Sequence, residues 1–254
     1  MTTSMWKDDI YISPNIIKVF NKEIFEYDIH SAGYSITKEY GLLPEKEIKK
    51  LYTSDKAALN RNIGLKQRDD EIYKQALKEG FQRARKRFFE DNELDEGNVI
   101  SIKKDAIFTT KKCKYRKYGE IDFRKKNQYS SYLRLSNKPN IEFYYTPFQL
   151  DIKGISDENI ERHKNGIIKF IERYFEYQET SNIESVLGYL KRMIDRYKSY
   201  DLPIDYYRPL NVKSLYIVKE DDLEYEEYWE EDKKDLDISY NYLNVLSKLI
   251  LITL

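Results

Sequence analysis

The feature that most constrains the fold is one long amphipathic segment between two strand-like segments. From Asp69 to Glu90, apolar residues recur at a spacing of three to four: Ile72, Tyr73, Ala76, Leu77, Phe81, Ala84 and Phe88. This spacing predicts a helix with one buried face, and Asp69 and Asp70 place negative charge at its start. Such a helix needs an apolar surface to pack against, and the flanking segments are suited to provide one.

Before this helix, the chain alternates short elements with breaks. Residues 24–29 are strand-like and contain Asp28 near the end of the run. Residues 31–40 are predicted to turn helical, and Gly41 and Pro44 then interrupt the pattern. Residues 45–51 and 56–59 are predicted to form short helical pieces.

A strand hairpin is predicted directly after the long helix. The segment Glu96-Gly97-Asn98 favours a turn, and residues 99–102 are typical of a buried strand. Lys103, Lys104 and Asp105 form a polar tip, and residues 106–109 form the returning strand. The sequence therefore places an aspartate at the tip of a hairpin.

The rest of the chain changes character near residue 156. Residues 121–135 and 141–155 alternate enough to indicate further strands. Two amphipathic helices are predicted beyond them, the first with apolar positions from Ile160 to Phe175 and the second from Ile183 to Tyr197. We therefore expect an α+β protein with an antiparallel sheet and packed helices over residues 1–155, and a mainly helical region over 156–254.

The distribution of charge is more informative than its total. The 254 residues contain 44 basic and 44 acidic side chains, so net charge argues neither for nor against nucleic acid. Residues 103–126 are rich in lysine and arginine with interleaved aromatics, as in single-strand binding grooves, whereas residues 219–237 are acidic. The first segment is suited to contact phosphate, and the second would repel it.

Few residue types are available for disulfide or zinc chemistry. Cys113 is the single cysteine, and His30 and His163 show no zinc-ligand spacing. A reducing compartment is the default expectation. The apolar run 245–254 is too short to cross a bilayer, so the sequence predicts a cytoplasmic protein with no membrane partner.

Asp28 and Asp105 are the candidate metal ligands. Nucleotidyl transfer uses divalent ions to stabilise the entering and leaving oxygens, and Mg²⁺ or Mn²⁺ needs only a few carboxylates together with waters and substrate phosphates. An aspartate at a strand end and another at a hairpin tip meet this requirement if the strands are neighbours. Taken alone, the same residues are better explained as two solvated turn acids, and it is the motif context below that favours a metal site.

Five short segments resemble motifs of family B DNA polymerases and occur in that family's order over residues 24–155. Asp28-Ile-His-Ser31-Ala-Gly-Tyr-Ser35-Ile36 resembles the first motif, Asp-x-x-Ser-Leu-Tyr-Pro-Ser-Ile. Lys56-Ala-Ala-Leu-Asn60-Arg-Asn-Ile-Gly64 resembles the second, Lys-x-x-x-Asn-x-x-Tyr-Gly. Ser101-Ile-Lys-Lys-Asp105-Ala-Ile-Phe108 resembles the third, aligned on its second aspartate. Lys125-Lys126-Asn-Gln-Tyr129 and Asp151-Ile-Lys153-Gly154-Ile155 resemble the two segments that hold the primer-template.

The resemblance implies a reduced, phage-type palm domain with a stub of fingers and a helical thumb-like C-terminal region. It implies that Asp28 and Asp105 bind Mg²⁺ or Mn²⁺ and that Lys56, Asn60 and Gly33 contact the nucleoside triphosphate. It also implies that Lys125, Lys126, Tyr129 and Lys153 contact the nucleic acid primer-template. The implied site of action is the host cytoplasm, with the possibility of a replication partner that supplies missing domains.

The departures from the family leave the activity open. There is no room for a proofreading exonuclease, and Lys103 stands where the family has another aspartate, so that an ammonium would repel metal ions. Gly33 replaces the tyrosine that closes against the sugar, and Ile63 replaces the tyrosine of the second motif. Two alternatives to a polymerase-like enzyme therefore stand: a palm-like nucleic-acid-binding or replication scaffold without turnover, and a structural α/β protein with fortuitous motif matches.

Overall fold

The chain forms two compact units, each with its own antiparallel sheet. The computed structural model describes residues 5–137, 140–203, 206, 215–218, 225–228 and 242–254. The first unit comprises Met1–Ile16 and Glu23–Gln128, and the second comprises Ile17–Lys22 and Tyr129–Leu254. The acidic segment 219–237 lies outside the described residues, apart from the backbone of 225–228.

The first unit contains a six-stranded sheet with the order β1-β4-β5-β3-β7-β6. Its strands are β1 (Ile10–Ile12), β3 (Ile24–Ile29), β4 (Val99–Lys103), β5 (Ala106–Thr109), β6 (Lys117–Tyr118) and β7 (Ile121–Tyr129). The last residue of β7 is assigned to the second unit, and strand β2 (Lys18–Val19) also belongs to that unit. Strand β5 pairs antiparallel with β4, as the hairpin pattern predicted, and on its other side with β3, also antiparallel. The strand that carries Asp28 is therefore the direct neighbour of the strand that follows Asp105.

Four helices connect β3 to β4: α1 (Ala32–Glu39), α2 (Glu45–Leu51), α3 (Lys56–Asp69) and α4 (Glu71–Asp91). The predicted long helix is confirmed as α4, and the Asp70 side chain accepts a hydrogen bond from Tyr73 N and caps it. The predicted helical piece 56–59 was too short, because α3 continues to Asp69. Only Leu59 and Ile63 are buried on α3, and its polar composition hides the helical period.

One face of β3 builds the apolar core of this unit. Phe25, Tyr27 and Ile29 alternate along the strand and pack with residues of α1 and α4. The rings of Tyr27 and Phe88 lie 5.6 Å apart, and Phe88 stacks on Phe123 of β7 at 4.1 Å. Because alternate residues point to opposite faces, Glu26 and Asp28 lie on the face that does not carry these helices.

The second unit combines a four-stranded sheet with helices. The sheet order is β10-β9-β8-β2, with β8 (Ser131–Asn137), β9 (Asn140–Thr146) and β10 (Gln149–Lys153) paired antiparallel. Leu133, Phe143 and Tyr145 on one face join a core with the helices, and the Tyr145 ring stacks on Phe175 at 4.8 Å. A separate pair, β11 (Leu215–Val218) and β12 (Tyr225–Tyr228), is also antiparallel.

The helices of this unit are α5 (Asp157–Arg162), α6 (Lys169–Thr180), α7 (Ile183–Lys198) and α8 (Tyr242–Thr253). The predicted first amphipathic helix is interrupted between α5 and α6 by a π-helical segment, Lys164–Ile168, in which Gly166 leaves helical geometry. The second predicted helix is confirmed as α7, which Asn182 caps through Ser185 N. Within the described part of the chain, no helix is long and apolar enough to cross a membrane.

The architecture is α+β with antiparallel sheets, as the sequence predicted. Strands β8 to β10 share a core with the C-terminal helices. The chain passes from the first compact unit to the second between residues 128 and 129, whereas the sequence analysis expected a change of character near residue 156. Residues 17–22 also join the second unit, where β2 pairs with β8, a long-range pairing that the local pattern does not reveal.

Candidate active site

Asp28 and Asp105 lie together, as the sequence predicted. Asp28 is directly opposite Ala106 in the pairing of β3 with β5, and Asp105 is the residue that precedes Ala106 in the hairpin turn. The backbone N–H of Ile29 donates a hydrogen bond to the carbonyl oxygen of Asp105 at 3.3 Å. The hairpin tip is therefore fastened to the end of β3, one residue beyond Asp28.

The two carboxyl groups interact directly. Burial raises the pKa of Asp105 above its ordinary value, and the Asp28 carboxyl raises it further through its negative charge and a hydrogen bond. Lys126 acts in the opposite direction and lowers the pKa of Asp105. A carboxyl group whose ionisation is disfavoured by burial and by a neighbouring acid is in an electrostatic setting that a bound cation would relieve.

A third carboxylate, Glu26, belongs to the same face and was not singled out from the sequence. Its side chain is only 2 % exposed. Asn127 Nδ2 donates a hydrogen bond to Glu26 Oε2 at 2.6 Å, and Lys126 Nζ lies 3.3 Å from Glu26 Oε1. The one sequence signal was its spacing of two from Asp28, which puts both acids on one face of a strand.

Lys126 contacts both the buried Glu26 and the partly exposed Asp28. Its Nζ also lies 3.8 Å from Asp28 Oδ2. Burial lowers the pKa of Lys126, but the charges of Glu26, Asp28 and Asp105 outweigh this effect and raise the pKa above its ordinary value. We refer to Glu26, Asp28, Asp105 and Lys126 as the carboxylate cluster. Lys126 is thus a positive charge held within the cluster.

Lys103 occupies a different place from Lys126. Its partner across the β4–β5 pairing is Ala106, and Ala106 is in turn opposite Asp28. Two strand spacings therefore separate the backbones of Lys103 and Asp28, which is about 10 Å. Lys126, which the sequence had grouped with the primer-template residues, is in ion-pair contact with Asp28.

The donor set fits a hard divalent cation. Magnesium is commonly held by one or two carboxylates and completes its shell with waters and substrate phosphates. Asp28 and Asp105 supply two such carboxylates from rigid backbone positions. In the described ranges, no group of three or more His, Cys, Asp or Glu side chains is arranged to hold a metal ion. The two aspartates are therefore the candidate ligands, and Lys126 is the charge beside them.

A buried arginine fixes the hairpin tip. Arg85 of α4 is fully buried, and its guanidinium donates to the carbonyl oxygens of Lys104 at 2.7 Å and of Trp6 at 2.8 Å. Its remaining nitrogen pairs with Asp9 Oδ1 at 3.0 Å. Lys104 N also donates to the Asp9 carbonyl oxygen at 2.6 Å. Lys104, which precedes Asp105, is thus held by α4 and by the N-terminal segment.

The predicted nucleotide residues lie on the helices that follow β3. Gly33 lies in the first turn of α1, where a Cβ would come within 2.8 Å of Ile63 Cγ2 on α3. Lys56 and Asn60 are exposed one helical turn apart at the start of α3. The segments that resemble the first and second polymerase motifs are therefore in contact at Gly33 and Ile63.

The predicted primer-template residues are divided between the two units. Lys125 is exposed and donates to Gln128 Oε1 at 3.1 Å. Tyr129 and Lys153 belong to the second unit, where Tyr129 is buried and its hydroxyl donates to Asp151. A buried ring offers no face for a base to stack on, so the geometry of Tyr129 is that of a core residue.

Comparison with known families identifies the origin of the chain. The family model described as bacteriophage PBS1 gene 130 protein matches residues 1–254, the whole chain. The chain belongs to this family. It is therefore a phage-type protein, and the family's description names a gene product without stating an activity. A search of curated proteins found no match.

Proposed function

We propose that this phage protein is a template-directed nucleotidyltransferase that resembles a reduced family B DNA polymerase and lacks proofreading. It would act on a primer-template and nucleoside triphosphates in the host cytoplasm. The observation that carries the proposal is the direct interaction of Asp28 with Asp105 across neighbouring antiparallel strands. Residues 77 positions apart in sequence meet at the ends of the two central strands of the sheet, as the shared metal ligands of such an enzyme must.

The order of the elements supports a palm-like unit. A strand, a group of helices and a hairpin follow one another along the chain, and the sheet order places the first strand beside the hairpin. Helices pack on the face of β3 that carries Tyr27, whereas Asp28 lies on the other face. On this other face the Asp28 side chain is 26 % exposed, which is the accessibility that the proposal requires of it.

Each site residue has a physical role in the proposal. Asp28 and Asp105 would hold Mg²⁺ or Mn²⁺, which supplies positive charge for an in-line transfer to a primer hydroxyl. Lys56 would neutralise the triphosphate, and Asn60, on the same exposed side of α3, would orient the nucleotide. Gly33 would present backbone alone to the sugar, since its Cβ direction is filled by Ile63 Cγ2 of α3. Lys125 would contact the nucleic acid backbone as a compact charge.

The test is a primer-extension and terminal-transfer assay with Mg²⁺ and, separately, with Mn²⁺. Metal-dependent addition of nucleotides to a primer by the purified chain is the expected result. A chain that adds no nucleotide with either ion, over a range of templates and primers, would not be a polymerase-like enzyme.

A nucleic-acid-binding or replication scaffold without turnover is the second candidate. The ion pair between Lys126 and Asp28 favours it, because an ammonium already supplies positive charge at the carboxylates. A scaffold of this kind would bind nucleic acid with strong salt dependence and show no transfer. It would also be expected to work with a replication partner that supplies the missing domains.

A further inference from the structure

The loop that joins β5 to β6 carries a run of cations that the proposed reaction does not use. It covers residues 110–116, and its exposed side chains continue into the first residue of β6. We refer to the exposed residues of this run as the basic loop: Lys112, Lys114, Tyr115, Arg116 and Lys117. Cys113, which lies among them in sequence, is buried.

The cations of the basic loop are unpaired. Across the part of the chain that the structure describes, no carboxylate lies within ion-pair distance of Lys112, Lys114, Arg116 or Lys117. The nearest acids in the chain and across the sheet have other partners. Glu93 pairs with Lys111 at 3.0 Å, and Asp122, which is opposite Lys117 in the β6–β7 pairing, pairs with Arg124 at 2.8 Å. Four positive charges within six residues are therefore available to an anionic ligand.

Buried polar groups hold the backbone of the basic loop in place. Asn92, at the end of α4, accepts hydrogen bonds through Oδ1 from the backbone N–H groups of Lys114 at 2.9 Å and Tyr115 at 3.0 Å. Its Nδ2 donates to the Tyr115 carbonyl oxygen at 2.6 Å. The backbone N–H of Cys113 donates to the Tyr27 hydroxyl at 2.8 Å. Because folding already fixes this backbone, a ligand does not have to order the loop, which is a cost that flexible segments add to association.

Tyr115 adds an aromatic ring to this set of charges. The residue is 62 % exposed and stands between Lys114 and Arg116. Tyr118, three residues later, is buried, and its ring meets the edge of Phe123. An exposed ring beside cations is suited to single-stranded nucleic acid, because the ring stacks on a base while the cations neutralise phosphates. In a duplex the base faces are already stacked, so the ring would add little.

The basic loop is separate from the two aspartates of the candidate active site. Its backbone contacts the hydroxyl of Tyr27, and Tyr27 and Asp28 point to opposite faces of β3. The loop also leaves β5 after Thr109, at the end of that strand far from Asp105. A ligand on the basic loop would therefore occupy a different site.

We propose that the basic loop is a binding site for single-stranded nucleic acid. Its four cations hold the phosphates, and the Tyr115 ring stacks on one base. The inference does not rest on the proposed reaction, because the site uses neither Asp28 nor Asp105.

The experiment measures binding of a fluorescein-labelled oligodeoxythymidylate to the full chain by fluorescence anisotropy, in EDTA and without triphosphates, over a range of NaCl concentrations. The wild-type chain is expected to bind, and the triple variant Lys112→Gln, Lys114→Gln, Lys117→Gln is expected to bind about 10-fold or more weakly at low salt. The slope of log K against log [NaCl] should become less steep by about 2, since each phosphate contact on a single strand contributes about 0.7.

The matched control is a second triple variant that removes the same charge from exposed lysines. It changes lysines that pair with acids three or four residues away, and it should bind as the wild-type chain does: Lys49→Gln, Lys74→Gln and Lys164→Gln.

Tyr115→Ala tests the stacking contact and keeps the backbone hydrogen bonds to Asn92. It should weaken binding of the single strand about 5-fold or more and leave binding of a duplex unchanged. Phe148→Ala is the matched control, because Phe148 is a 97 % exposed ring outside the basic loop, and its removal should change neither affinity.

Three results would overturn the proposal: no binding at low salt, equal weakening by the two triple variants, or equal affinities of Tyr115→Ala and Phe148→Ala for the single strand. Displacement of the oligonucleotide by poly-L-glutamate at equal charge concentration, as effective as displacement by unlabelled oligonucleotide, would also overturn it. That result would indicate a site for acidic polypeptide. Since the assay contains no divalent ion, its failure leaves the metal site to its own test, and a chain without nucleotidyl transfer would still show the binding predicted here.

Discussion

Gly33 lies so close to Ile63 that an added Cβ would stand 2.8 Å from the Ile63 Cγ2 methyl. Helix α1 therefore approaches α3 at a position where only glycine fits without movement. Both residues stand where the polymerase motifs carry tyrosine. Two bulky rings could not occupy these positions in the present backbone, so the two replacements are physically coupled.

A double-mutant cycle tests this contact. Gly33→Ala should destabilise the wild-type chain, because overpacking costs about 1–3 kcal/mol and outweighs a helix-propensity gain of about 0.5–1 kcal/mol. In an Ile63→Ala background the Cγ2 methyl that the new Cβ would meet is absent, so Gly33→Ala should raise the free energy of unfolding. Chemical denaturation measures both effects. An equal effect of Gly33→Ala in the two backgrounds would show that the helices do not meet at this point.

Sugar selectivity provides a second prediction. If the chain is active, it should incorporate ribonucleotides nearly as well as deoxynucleotides, since Gly33 has no side chain to clash with a 2′-hydroxyl. Competition between the two triphosphates in primer extension gives the ratio of kcat/KM values. A preference of more than about 100-fold for deoxynucleotides would indicate that another side chain performs the discrimination.

The Arg85 contacts provide a third prediction. Arg85→Met should lower the free energy of unfolding by about 2–4 kcal/mol, because the carbonyl oxygens of Lys104 and Trp6 lose a buried donor. Arg124→Met is the matched control, since Arg124 pairs with Asp122 at the surface and should contribute less than about 1 kcal/mol. Equal losses of unfolding free energy in the two variants, measured by urea denaturation, would contradict the role of Arg85 in holding the hairpin tip.

Cys113 provides a prediction about pH. Burial raises the pKa of this thiol to about 12, and the residue as a whole is 5 % exposed. A raised thiol pKa means that the thiolate, which is the reactive form, is scarce in the folded chain at pH 7–9. Labelling with a thiol reagent should therefore be slow across this range and become fast in denaturant. Rapid labelling of the folded chain at pH 8 would contradict the burial.

The local elements could be predicted because their signals are local. Helix α4 has both an apolar period and a capping aspartate at Asp70, and the β4–β5 hairpin has two apolar runs around a polar tip. The limits of α3 could not be predicted, because it buries only Leu59 and Ile63 and is held by packing. Gly166 gave no reliable indication of the break before α6, since isolated glycines also occur inside helices.

The carboxylate cluster could be predicted only in part. Asp28 and Asp105 were found from their places at a strand end and a hairpin tip. Lys126 joins them because β7 lies beside β3, and that pairing connects residues about a hundred positions apart. Such a pairing leaves no local trace in a single sequence. Glu26 was overlooked because it stands in an apolar run, where an acid gives no periodic signal.

The central claim is that Asp28 and Asp105 together hold the metal ion of a nucleotidyltransferase. The rate of metal-dependent nucleotide addition in Asp28→Asn and Asp105→Asn tests it most directly. Asp69→Asn is the matched control, because Asp69 forms an exposed pair with Arg68. Replacement of Asp28 removes a like charge from Asp105 but also an ion-pair partner of Lys126, so urea unfolding of each variant must show a folded chain before the rates are compared. The account predicts a loss of at least about 100-fold in each site variant, no further loss in the double variant, and a wild-type rate in the control. Wild-type rates in both site variants would contradict it.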